Sequence, residues 1–98
     1  MKREIRFVWD DWKNRQNQKK HGVSFEEAES VFFDEKAREF FDPDHSDEED
    51  RFLLVGRSYR LRMLLVCHCY REGERVIRII SARRATRSER SAHQRGQE

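Results

Sequence analysis

From Arg51 to Glu98 every cationic side chain except histidine is an arginine, twelve against four carboxylates, for a net charge of +8. Arginine's planar fork grips phosphate oxygens two at a time, which a lysine ammonium cannot do. A half-chain charged in this way points to an anionic partner, nucleic acid first among them. Arg51 opens a predicted strand after an acidic stretch. Arg62 and Arg78 interrupt apolar strands, and Arg83 sits at a strand-to-helix junction. An arginine in an apolar strand either lies on the open face of the sheet or is ion-paired. Arg51, Arg62 and Arg83 are therefore candidate phosphate clamps, with structural ion pairing as the alternative.

The groups able to move a proton are His21, His68 and His93, with Lys20 and Glu89 beside them. His21 falls at the end of a predicted helix, where it either serves chemistry or caps the last carbonyls. His93 lies in the last predicted helix, near its fraying end. Glu89 has a local alternative as the capping partner of Thr86. Trp9 and Trp12 stand at i and i+3. They either stack on bases or pin a polar helix to the core, and the second is the commoner use.

Cys67-His68-Cys69 invites a metal reading. The two cysteines share a sheet face about 6.6 Å apart along the strand, whereas a disulfide needs Cβ atoms about 3.8 Å apart. A zinc site would need two more ligands at fixed spacing, and no second paired motif exists. No metal and no cofactor are expected. Two reduced cysteines suit the cytoplasm.

The elements that must position these residues follow from local signals. Ile5 to Trp9 is a short strand candidate. Asp10 caps a helix over Asp11 to Lys20, which Gly22 stops after Lys19-Lys20-His21. That helix has only Trp12 as a large apolar residue, so tertiary contacts must hold it. Ser24-Phe25-Glu26-Glu27 is a capping box, with Glu27 placed to reach back to the Ser24 amide. Phe25, Ala28, Val31 and Phe32 form the buried stripe of this second helix. Ala37 to Phe41 is a short strand and Asp42 to Asp50 a loop. Arg51 to Ser58, Leu61 to Tyr70 and Arg75 to Ala82 are strands joined by hairpin turns. Met63 to Cys67 is continuously apolar, as a strand buried on both faces requires. In the last strand Val76 and Ile80 face one way, Ile77 and Ile79 the other. Thr86-Arg87-Ser88-Glu89 caps a final helix. If it begins early, Arg83, Arg87 and Arg90 share a face. The order β-α-α-β-β-β-β-α makes an α+β domain, helices on a small antiparallel sheet.

The chain has 98 residues, 41% charged and 36% hydrophobic. That is one domain with a small core, expected over 1–98 and ordered over about 4–93. Eleven aromatics, Phe, Trp and Tyr together, argue against disorder. No apolar run reaches the roughly 18 residues of a membrane span, and no signal-peptide core follows Met1, so no membrane and a cytoplasmic location are expected. The segment Asp34 to Asp50 carries nine carboxylates against two cations, net −7. Its loop, Asp42 to Asp50, has no EF-hand spacing. It is a solvated loop, a contact for a partner protein, or a fence against misplaced RNA.

Three ordered motifs resemble the BrnT toxins of type II toxin–antitoxin systems. The first is Trp9-Asp10, Lys13, Asn17, then Lys20-His21-Gly22-Val23-Ser24-Phe25. The second is Val31-Phe32, Asp34, the acidic stretch into Arg51, and Gly56. The third is Ile77-Arg78-Ile79-Ile80-Ser81-Ala82-Arg83-Arg84-Ala85-Thr86, then Glu89-Arg90. Together they span roughly Phe7 to His93. His93 stands where the family commonly has Tyr. The resemblance implies a RelE-like fold and a small ribonuclease that blocks translation. It also implies a ribbon-helix-helix antitoxin partner, BrnA-like, which covers the toxin and binds operator DNA. The toxin then meets that DNA only through the antitoxin.

RNA cleaves itself when a 2′-OH aligns on the next phosphate. Catalysis needs a base for the 2′-OH, cations on the phosphorane oxygens and an acid for the 5′-oxygen, with no metal required. The candidate catalytic set is Arg51, Arg62, Arg83, His21, His93 and Glu89. Lys13, Lys20, Arg78, Arg84, Arg87, Arg90 and Trp12 are the candidate RNA contacts. The rival reading is a non-catalytic module of the same fold that holds the antitoxin and tunes operator binding. A weaker third reading is a general single-stranded RNA binder.

Overall fold

A computed structural model describes residues 4–45 and 48–95. Ser46 and Asp47 of the acidic stretch lie outside the described residues, as do Met1–Arg3 and the last three residues of the tail. The order is β1 (Arg6–Val8), α1 (Asp11–His21), α2 (Phe25–Val31), β2 (Arg38–Asp42), a 3₁₀ turn (Pro43–His45), β3 (Arg51–Arg57), β4 (Met63–Arg71), β5 (Val76–Arg84) and α3 (Arg87–Arg95). The sheet runs β1-β5-β4-β3-β2. Four strands are antiparallel hairpin neighbours, while β1, arriving at the edge, pairs with β5 in parallel. The sheet is therefore mixed rather than wholly antiparallel. β4 lies at its centre, as its unbroken apolar run requires, with Leu64, Leu65 and Val66 buried.

The core lies between α2 and one sheet face. Phe25, Ala28 and Val31 pack with Val23, Leu54, Leu64, Val66, Ile79 and Ala82. Phe25 is fully buried, and such a side chain contributes roughly 1.5–3 kcal/mol. Gly56 of β3 passes beneath this helix. A Cβ there would lie 2.8 Å from Val31 Cγ1 and 2.9 Å from Ala37 Cβ, so no side chain fits.

α1 is held by polar contacts. Asp10 caps it through the Lys13 amide, and Gly22 ends it at φ 69°. Trp12 is 60% exposed and pins nothing, contrary to the anchoring expectation; Trp9 alone packs inward, edge-on to Phe25. The anchors are the amides Asn14 and Asn17. Asn14 accepts from the Phe25 N–H and donates to Glu26. Asn17 reaches across to β5.

Half of the first capping box forms. The Glu27 amide donates to Ser24 Oγ, but the Glu27 side chain turns inward rather than back to the Ser24 amide. The second box is complete, with Thr86 N–H donating to Glu89 and Glu89 N–H to Thr86 Oγ1. α3 begins at Arg87, so Arg83 belongs to β5 and shares no helix face with Arg87 and Arg90. Asp42 is strand, not loop, and pairs across from Arg51.

Candidate active-site cleft

A single irregularity in β5 decides what the open sheet face presents. Ile79 is paired with His68 and Ser81 with Cys67, so Ile80 is one residue too many. Such a bulge reverses the alternation beyond it. Ala82 turns into the core beside Val66, and Ser81 and Arg83 turn to the open face beside Cys67 and Leu65. With strict alternation from Ile79, Arg83 would point at the core. β1 pairs with β5 only up to Arg78, and beyond it Asn17 takes the place of a strand. Its Nδ2 donates to Ala82 O at 2.7 Å and Val23 O at 2.8 Å, and its Oδ1 accepts from Ala82 N at 3.1 Å.

The open face carries a cleft of about 440 Å³. Leu53, Leu65 and Cys67 form its floor, Arg51 and Arg83 stand at its sides, and His21 and Glu89 reach it from the ends of α1 and α3. Ser81, Asp42 and Asp44 also line it. Arg51 and Arg83 lie two strands and four residues apart, about 16 Å between Cα atoms. Two long side chains at that spacing can flank one nucleotide.

Arg83 and Glu89 form a two-pronged pair, Nη1 to Oε1 and Nη2 to Oε2, both 2.9 Å. Nη1 also donates to the Arg84 carbonyl at 3.2 Å. Two of the five guanidinium N–H groups remain for an anion. The Arg83 hydrogen bonds hold the Glu89 carboxyl below the usual carboxylate range, despite burial, and Glu89 raises Arg83 in turn. Glu89 is thus an ionised orienting group, ill-suited to deliver a proton. Burial pushes the Cys67 thiol up, against the opposing charge of Arg51, so it is a neutral floor residue.

Of the six proposed catalytic residues, His21, Arg51, Arg83 and Glu89 share this cleft, while Arg62 and His93 lie elsewhere. Arg62 Nε donates to Glu27 Oε2 at 2.9 Å, and its Nη2 to Glu27 Oε1 and to Gly22 O. Ser58 Oγ donates to Glu27 as well, at 2.6 Å. Burial works to raise the Glu27 carboxyl, but Arg62 and Ser58 outweigh it and hold it low. Arg62, expected inside an apolar strand, stands just before β4 and is an ion-pair partner of Glu27. His93 is 4% exposed, with Nε2 3.0 Å from Asp34 Oδ2. It ties α3 to the turn after α2 and lies outside the cleft. His68 faces opposite to both cysteines, fully buried, its Nε2 2.7 Å from Glu39 and its ring against Phe32 and Tyr70.

Lys13, Lys20, Arg84, Arg87, Arg90 and Trp12 are exposed and Arg78 is half-buried; none of them lines the cleft. Sequence reasoning missed Asn17 as the strand substitute and Asp42, Asp44, Cys67 and Ser81 as cleft lining. The register of Asp42 against Arg51 could have been guessed from the hairpin. The bulge had no sequence signal.

An arginine-flanked cleft on the open face of an α+β sheet, with a histidine at its rim, has the charge and proton-transfer groups that phosphate chemistry requires. Comparison with known proteins narrows that chemistry. A family profile described as "Ribonuclease toxin, BrnT, of type II toxin-antitoxin system" matches residues 9–89. The 1.1 Å crystal structure of the Brucella abortus ribonuclease toxin BrnT is similar, with TM-score 0.62 and 25% identity over 85% of this chain and 99% of that one. No curated protein matches. The chain belongs to the BrnT family of ribonuclease toxins. Among the described residues no helix is long and apolar enough to cross a membrane.

Proposed function

We propose that this protein is an endoribonuclease that cuts RNA without a metal ion and so inhibits translation. In the cleft, the 2′-oxygen of one nucleotide forms a bond to the adjacent phosphorus as the bond to the 5′-oxygen breaks. The products are a 2′,3′-cyclic phosphate and a 5′-OH. Arg51 and Arg83 neutralise the phosphorane oxygens, a contribution on the order of 10²–10³ in rate per donor. His21 takes the proton from the 2′-OH, adding roughly 10²–10⁴, and solvent water protonates the departing 5′-oxygen. Glu89 is a positioning residue that aims Arg83.

The observation that carries this reading is the convergence of His21, Arg51 and Arg83 on one cleft from three separate elements. A cognate ribbon-helix-helix antitoxin neutralises the protein in the cytoplasm and supplies the contact to operator DNA. The test is purified, antitoxin-free protein on total RNA with and without EDTA, reading product ends. Cleavage that survives EDTA and leaves cyclic phosphate supports the proposal. Folded protein that binds its antitoxin and cuts nothing supports the non-catalytic module instead.

A further inference from the structure

A second cavity, of about 410 Å³, borders α3 away from Glu89. Arg87, Arg90, Ser91, Gln94 and the buried, Asp34-bound His93 line it from the helix, and Arg57 and Met63, cross-strand partners, from the sheet. Residues 87, 90, 91 and 94 recur at helical spacing and share one helix face, whereas Glu89 lies on the opposite face and lines the catalytic cleft. α3 is thus a ridge between two cavities, and a helix is about 10–12 Å across.

Several arginines that flank the sheet are ion-paired. Arg6, Arg62, Arg71 and Arg83 each hold a carboxylate. Arg57, Arg87 and Arg90 are exposed and have no carboxylate within ion-pair distance among the described residues. Three uncompensated guanidiniums around one hollow repel one another and favour an anion between them. Met63 adds a polarisable apolar surface for a base or ribose. The Gln94 amide offers both a donor and an acceptor for a base edge. Cations, an apolar patch and an amide together fit a nucleotide better than a bare phosphate.

We propose that this groove is a second RNA subsite, holding a nucleotide of the strand after it crosses α3 from the cleft. The proposal rests on the ribonuclease reading above and extends it. Substrate recognition then depends on strand length, because a fragment too short to cross the helix reaches only the cleft.

The test measures binding of uncleavable 2′-O-methyl oligonucleotides, three and ten nucleotides long, to the whole protein. The wild type is compared with Arg87→Gln/Arg90→Gln and with Arg57→Gln, after thermal unfolding shows each variant folded. The ten-nucleotide ligand should weaken about tenfold or more in the double variant. Its log–log salt slope should shrink by about 1.4, at about 0.7 for each of two phosphates. The three-nucleotide ligand should bind unchanged. Equal losses for both lengths, or none for the longer one, overturn the subsite. So does a double variant that keeps the long ligand and loses only the antitoxin, which would make the groove a protein contact. If the double variant does not fold, Arg57→Gln carries the same length comparison. Wild-type protein that binds neither ligand overturns the ribonuclease reading itself.

Discussion

Replacing Asn17 by alanine should loosen the β5 bulge and with it Arg83. The side chain is buried, at 7% exposure, and makes three hydrogen bonds to backbone groups of Val23 and Ala82. Its loss leaves two carbonyls and one N–H without partners. An unsatisfied buried group costs about 1–3 kcal/mol, and water entering at the free edge of β5 offsets part of this, so a total of about 3 kcal/mol is expected. For a domain of this size each kcal/mol moves the melting temperature by about 4–8 °C, which gives a fall of roughly 12–24 °C by calorimetry. At temperatures where the variant is still folded, RNA cleavage should drop by about tenfold or more, because the Arg83 guanidinium no longer has a fixed origin. Asn14→Ala is the control. It removes bonds to Glu26 and Phe25 that do not touch β5, so it should lower stability and leave cleavage by the folded fraction intact. A melting temperature for Asn17→Ala within about 3 °C of wild type would refute the reasoning. Equal losses of activity in the two variants would also refute it.

Three further outcomes follow from the same contacts. Arg62→Ala leaves the buried Glu27 carboxylate without its main partner and should cost about 3–5 kcal/mol by denaturant unfolding; loss of activity at unchanged stability would restore Arg62 as a catalytic residue. Gly56→Ala must displace Val31 or Ala37 and should cost about 1–3 kcal/mol, read as a lower urea midpoint. Glu27, Asp34 and Glu89 all have folded pKa values below their ordinary ones, so their stabilisation is present above about pH 4.5 and is lost as the pH falls through the folded values. Glu89→Gln should therefore make the acid limb of a stability–pH curve shallower, and an unchanged limb would contradict the Arg83 pairing.

The chain's local signals announced most of its elements. Asp10, Ser24 and Thr86 mark helix starts by side-chain chemistry that acts within four residues, Gly22 marks a helix end by its left-handed backbone, and the apolar run of β4 placed it at the sheet centre. What stayed hidden is non-local. Glu27 has the spacing of a capping-box partner, yet Arg62, 35 positions away, draws its carboxylate inward. Trp12 has the composition of an anchor, but α1 is anchored by Asn14 and Asn17, whose bonds reach backbone that only the fold brings near. Period-two alternation extrapolates through Ile80 and assigns Arg83 to the core face; the bulge reverses that assignment. His93 was a candidate by type, and only its 3.0 Å approach to Asp34 shows it tying down α3.

The central claim is that His21, Arg51 and Arg83 act together on RNA in one cleft. The most direct measurement is the single-turnover cleavage rate of antitoxin-free His21→Ala, Arg51→Ala and Arg83→Ala, each checked for its melting temperature and for antitoxin binding. The account predicts losses of about a hundredfold or more for each variant, with antitoxin binding retained. Wild-type rates in all three folded variants would contradict it.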